Sequence, residues 1–121
     1  MKNTSSTLAN KTDFEFGWFV GLYEGEGTFF MEKGKYPKLV LKIDMTDRDT
    51  VERCSRFLGV KVQTLKLYGN QKKEVYRVKK QGGLTSQLAD LIMKMKPHLC
   101  ARRQSQIDHA LGTLSKVKTG S

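Results

Sequence analysis

Glycines at positions 17, 21 and 25 recur every fourth residue within Phe16-Gly17-Trp18-Phe19-Val20-Gly21-Leu22-Tyr23-Glu24-Gly25-Glu26-Gly27, and this spacing constrains the chain more than any other feature. On a helix the three glycines form one bare stripe. Each costs about 1 kcal/mol relative to alanine in a helix interior, so such a stripe is useful only where another backbone comes very close. Trp18, Phe19, Val20, Leu22 and Tyr23 make the segment apolar nearly all round, which predicts a buried helix. The run is far too short to span a bilayer. Gly25 and Gly27 act as terminators, leaving Glu24 and Glu26 at the C-terminal end of the helix. Carboxylates there oppose the macrodipole and call for something positive. Two copies of the helix crossing on the stripe would each deliver an acid to a shared cleft, where a divalent cation offsets the like charges. Oxygen ligands suit Mg²⁺ or Ca²⁺, and Mg²⁺ takes one or two protein carboxylates with phosphate and water. Phosphodiester chemistry is the natural candidate.

A chain of 121 residues has the size of one domain with a modest core. Its formal net charge of +10 predicts a polyanionic partner, nucleic acid first, and dimerisation would double that charge. A solvated basic surface of the ribosomal-protein type fits the composition equally well. Cys54 and Cys100 lack the Cys/His spacing of a zinc site and are expected to be reduced, with Cys54 in the core. Met1 to Thr12 is polar, without the apolar segment of a signal peptide, so an intracellular, non-secreted protein with no membrane association is expected.

Residues 1–12 read as a flexible arm, 13–114 as a single domain and 115–121 as a flexible tail. Thr12 or Asp13 can cap the first helix. Thr28 to Lys33 is a β-prone run, and Gly34-Lys35-Tyr36-Pro37 supplies a turn. Leu39, Leu41, Ile43 and Met45 then alternate with Lys38, Val40, Lys42 and Asp44, predicting a hairpin with one buried face. The other face carries Thr28, Phe30, Glu32, Lys38, Val40, Lys42 and Asp44. Thr46 with Asp49 is a capping-box-like start for a helix from about Asp47 to Leu58. A second hairpin, Val60 to Tyr68 and Glu74 to Lys80, puts Leu65, Leu67, Tyr76 and Val78 inside and Lys66, Tyr68, Val75, Arg77 and Lys79 outside. Gly82-Gly83 breaks the strand, Leu84 to Met95 gives a helical stripe ending before Pro97, and a last helix runs through Leu114. This α+β order allows one four-stranded antiparallel sheet with helices on one face and the other face open to ligand. His98 and His109 have no motif partner and are expected to be structural or surface residues. No H-x-E, nucleophile-elbow or phosphate-loop pattern is present, which argues against zinc deamination, triad hydrolysis and P-loop chemistry.

Phe19 to Gly27, FVGLYEGEG, resembles the LAGLIDADG motif, with Gly21, Leu22, Gly27 and the acids at 24 and 26 in register. The resemblance to LAGLIDADG homing endonucleases covers the motif helix, an αββαββα core and the Pro97 to Arg103 segment. One motif copy implies the single-motif type, a homodimer whose paired motif helices meet through Gly17, Gly21, Leu22 and Gly25 beneath a saddle-shaped DNA-binding surface. It also implies a site-specific endonuclease, a hydrolase of intron or mobile-element character. Such an enzyme cuts double-stranded DNA at a long pseudo-palindromic site with Mg²⁺, for which Ca²⁺ or Mn²⁺ can substitute, and needs no small-molecule cofactor. Glu26 matches the family's metal-binding acid, with Glu24 and the Gly25 carbonyl as further ligands. Arg102 and Arg103 lie where the family places a basic residue near the active site, and Asp47 lies where some members have a glutamine facing catalytic water. Thr28, Phe30, Glu32, Lys38, Val40, Lys42, Asp44, Lys66, Tyr68, Val75, Arg77 and Lys79 become the DNA-facing set. The alternative on the same scaffold is a non-cleaving nucleic-acid binder, either an RNA-splicing maturase or a DNA-binding regulator.

Overall fold

A computed structural model describes residues 11–66, 69 and 73–118. In chain order the elements are α1 (Asp13–Glu26), β1 (Gly27–Glu32), β2 (Lys38–Met45), α2 (Arg48–Leu58), β3 (Gln63–Leu65), β4 (Val75–Gly82), α3 (Gln87–Met95), a 3-10 turn (Lys96–His98) and α4 (Ala101–Lys118). This is the expected α+β order, and the strands make one four-stranded antiparallel sheet in the order β1-β2-β4-β3. No described helix is long and apolar enough to cross a membrane. The chain divides into two compact units, Met1–Gly27 with Lys42–Lys79 and Thr28–Leu41 with Lys80–Ser121.

In the first unit α1 starts on a complete capping box. Thr12 Oγ1 accepts the Glu15 N–H at 3.1 Å, and the Glu15 carboxylate accepts the Thr12 N–H at 3.0 Å. The same pairing holds the Glu15 carboxyl below its ordinary range, chiefly through the Thr12 backbone bond. Phe19, Val20 and Tyr23 are the buried residues of α1, and Val51, Cys54, Phe57 and Leu58 those of α2. The two helices meet through Phe19 and Phe57, whose rings stack with centroids 4.6 Å apart. α2 ends at Gly59, whose φ of 73° gives the left-handed C-cap that a residue without Cβ adopts most readily, with its N–H bonded to the Ser55 carbonyl at 2.8 Å. Burial raises the Cys54 thiol from 9.0 to about 12, so it behaves as a small apolar core residue.

In the second unit Leu88, Leu91, Ile92 and Met95 of α3 and Ile107, Ala110 and Leu114 of α4 are buried. Ser86 caps α3 by accepting the Ala89 N–H at 3.2 Å, and the turn containing Pro97 separates α3 from α4. The ion pair between Lys96 Nζ and Asp108 Oδ1, 2.5 Å, ties that turn to α4.

Several boundaries differ from expectation. α4 continues through Lys118, so Ser115 to Lys118 are helical rather than part of a loose tail. β4 runs on to Gly82, two residues past the predicted end, since a glycine is free to adopt extended backbone and does not by itself end a strand. β3 is only Gln63–Leu65, where a strand from Val60 to Tyr68 was expected; Leu67 and Tyr68 lie outside the described residues, as does the arm through residue 10. α2 is capped by Asp47, whose Oδ1 accepts the Thr50 N–H at 3.3 Å, one residue later than the predicted Thr46 start.

Candidate functional site

α1 presents a bare edge. Gly17, Gly21 and Gly25 are exposed, and a Cβ built on any of them meets nothing within 4 Å. Phe14, one turn before Gly17 and Trp18, is 74% exposed. The prediction of a helix buried all round is therefore corrected. Its core face is narrow, Leu22 is half-buried, and among the described residues the glycine stripe faces open space rather than a neighbouring backbone. Gly27 has the opposite surroundings, since a Cβ there would lie 2.1 Å from Cδ1 of the fully buried Tyr23 ring. Here the absence of a side chain lets the first strand leave the helix directly over an aromatic ring.

The helix ends in Glu26, exposed, with Glu24 half-buried, and its last turn contains no basic residue. The expected compensating positive group is thus not supplied by the helix itself. No group of three His, Cys, Asp or Glu side chains able to hold a metal forms among the described residues. The donors present are nevertheless of the right kind: an exposed carboxylate on Glu26 and the C-terminal carbonyls of a helix, Gly25 among them, are hard oxygen ligands. An Mg²⁺-type ion needs only one or two carboxylates from each protein surface when phosphate and water complete its shell. Glu26 and Gly25 fit that demand.

Asp47 is exposed and occupied as the α2 cap, which is enough to explain an acid at that corner. In the second unit Arg102 is exposed on the first turn of α4. Arg103 is buried, 7% exposed, and donates from Nη1 to Gln106 Oε1 at 3.1 Å. Of the pair, Arg102 is the one presented to solvent.

The strands carry a mixed polar surface. Thr28 and Lys66 are exposed, while Phe30, Lys42, Val75 and Lys79 are half-buried. Lys38 Nζ lies 3.6 Å from Glu32 Oε1. Arg77 makes a two-bond pair with Asp44, Nε to Oδ1 at 2.7 Å and Nη2 to Oδ2 at 2.9 Å. Two expected placements are corrected. Val40 is fully buried, and β2 is an inner strand, with a neighbouring strand on each side. The pairing Leu65↔Val75 puts Leu65 on the face of Val75 and Arg77, and Thr64 on that of Tyr76. A register one residue away from the hydrophobic pattern turns this short strand over.

Two features carry no distinctive sequence motif. Arg53 sits over the Trp18 ring at 4.0 Å and over Phe14 at 5.9 Å, beside a surface cavity of about 190 Å³ lined by Phe14, Glu15, Trp18, Arg53, Arg56 and Phe57. The i, i+4 spacing of Phe14 and Trp18 is the only sequence signal for it. At the turn between β1 and β2, Lys33, Lys35 and Tyr36 are exposed, with Lys35 Nζ 5.6 Å from the Tyr36 ring centroid.

No family model matches this sequence, and no curated protein matches it. Solved structures do resemble the fold. The archaeal intron-encoded homing endonuclease I-Vdi141I, complexed with DNA, superposes with a TM-score of 0.54 at 20% identity, covering 77% of this chain and 62% of that one. The LAGLIDADG meganuclease I-AabMI, bound to uncleaved DNA, gives a TM-score of 0.57 at 17% identity, covering 97% of this chain and 38% of that one. This chain spans less than two thirds of either neighbour. At this identity the likeness is one of fold.

Proposed function

We propose that this chain, which has the LAGLIDADG fold, is a homodimeric, divalent-metal-dependent endonuclease that cuts double-stranded DNA at a long pseudo-palindromic site. The observation that carries the proposal is the exposed, unobstructed glycine edge of α1 ending in the exposed carboxylate of Glu26. A bare stripe costs helix stability and meets no backbone among the described residues; a second copy of α1 laid along it would offset that cost and bring two Glu26 side chains to the symmetry axis. The net charge of +10 and the DNA in both structural neighbours support duplex DNA as the partner.

Glu26, with the Gly25 carbonyl and Glu24 beside it, would hold Mg²⁺, with Ca²⁺ or Mn²⁺ able to take its place. A bound ion of this kind supplies Lewis-acid charge and an acidified water. The protein's own contribution is to fix those oxygens at the end of a packed helix. Arg102, exposed at the start of α4, offers charge to phosphate, with Arg103 and Asp47 as lesser candidates. Lys38, Lys42, Lys66, Arg77 and Lys79 provide phosphate and base-edge contacts.

The test compares wild type and Glu26→Gln on a target selected from a randomised duplex library, measuring strand scission with Mg²⁺ and binding without it. Wild type should cut, and the variant should bind as tightly or more tightly but not cut, since removing a carboxylate near phosphate relieves repulsion. Scission by Glu26→Gln at the wild-type rate refutes the role of Glu26. Binding without scission by the wild type identifies a maturase or regulator instead.

A further inference from the structure

The ion pair between Arg77 on β4 and Asp44 on β2 does more than its stability explains. Their side chains are 26% and 31% exposed, so solvent screens the pair, and partly exposed pairs of this type contribute little to folding. Yet the pair is bidentate, with both carboxylate oxygens engaged at 2.7 and 2.9 Å. Donating to the Asp44 carboxylate also holds the Arg77 guanidinium charged more firmly than usual.

A guanidinium has five N–H donors in a rigid plane, and Asp44 takes one from Nε and one from Nη2. The edge carrying Nη1 and the second Nη2 hydrogen has no other partner among the described residues. That edge is a two-donor fork, and its complement on a duplex is the paired acceptors O6 and N7 of guanine in the major groove. An arginine on a mobile side chain loses rotamer freedom when it docks, whereas one already clamped in plane loses little, so the clamp sharpens discrimination. The neighbouring lysines Lys42 and Lys79 lack this planar fork and suit phosphate contacts, which carry no sequence information.

We infer that Arg77 is a specificity-determining residue that reads a guanine in each half of the DNA target, and that Asp44 is a positioning residue that orients its guanidinium. The inference rests on the proposed DNA-binding function and names part of its target. The test is enrichment of a randomised duplex library, without metal, by wild type, Arg77→Ala and the near-isosteric Asp44→Asn, each checked for a native thermal transition. Wild type should enrich a motif with a guanine at symmetric positions. Arg77→Ala should lose preference there alone, by roughly 5- to 150-fold, the worth of one bidentate base contact. Asp44→Asn keeps the arginine and should weaken the same preference with the other positions unchanged, a readout that a merely structural pair does not move; it also preserves the test if Arg77→Ala does not fold. A motif unaffected by either variant, or one whose affected position is not guanine, overturns the inference and leaves DNA recognition standing. Failure of the wild type to enrich any sequence overturns both.

Discussion

Replacing Gly27 by alanine should destabilise the fold, while the same substitution at Gly112 should stabilise it. At Gly27 the new Cβ would lie 2.1, 2.6 and 2.8 Å from Cδ1, Cε1 and Cγ of Tyr23. These atoms are the root and flank of a ring with no exposed surface, not the far end of a flexible chain, so the ring or the backbone must shift. Overpacking of this kind costs about 1–3 kcal/mol. The φ of −83° is open to alanine, which returns a few tenths of a kcal/mol through the unfolded state, leaving a net loss of about 2 kcal/mol. With an unfolding entropy of about 2.1 cal/mol/K per residue, a chain of this length loses about 8 °C in Tm. At Gly112, exposed within α4, the Cβ meets nothing within 4 Å. The gain in helix propensity is then about 0.5–1 kcal/mol, or about 2–4 °C upward. Thermal unfolding followed by circular dichroism at fixed protein concentration measures both. A Gly27→Ala transition within about 2 °C of wild type, or a lowered transition for Gly112→Ala, refutes the steric reasoning.

Gly21→Leu should leave a folded chain that no longer dimerises, because among the described residues a Cβ there meets nothing within 4 Å, whereas a second helix on the stripe would be obstructed; sedimentation showing an unchanged dimer removes Gly21 from the seam. Cys54 gives stability an alkaline limit: its thiol ionises near 9.0 in the unfolded chain and near 12 when folded. The unfolded state sheds the proton first, so the contribution is intact below about pH 9 and is lost above it at up to about 1.4 kcal/mol per pH unit, until about pH 12. Urea unfolding at pH 8 and pH 10 should show a smaller alkaline loss for Cys54→Ala than for wild type, and equal losses refute it.

The order of elements was legible in the sequence because each rests on local chemistry: the Thr12 and Glu15 box, the 3.6-residue stripes of α2 and α3, and Pro97 between α3 and α4. Alternation succeeded for Leu39, Leu41 and Ile43, all fully buried, and failed for Val40, equally buried on an inner strand. Period-two logic assumes one wet face, and an inner strand need not have one along its whole length. It failed again at Leu65, where a three-residue strand has too little pattern to fix its register and the pairing with Val75 decides instead.

The candidate site was legible in kind but not in arrangement. Glycine spacing predicts close packing without saying whether the neighbour lies in the same chain, and only the open space around Gly17, Gly21 and Gly25 gives a second copy its place in the argument. Arg102 and Arg103 are indistinguishable by residue type, yet a single residue step of about 100° around the helix separates their fates: Arg103 is buried and bonded to Gln106, and Arg102 stays in solvent. The pairing of Asp44 with Arg77 spans 33 positions of sequence and has no local signature, since neither alternation nor charge order says which acid on one strand will face which base on another. Specificity in a β-sheet surface therefore sits where sequence reading is weakest, in cross-strand pairs set by register. Net charge, the most visible property of this chain, governs how strongly it holds a polyanion and says nothing about which sequence it prefers.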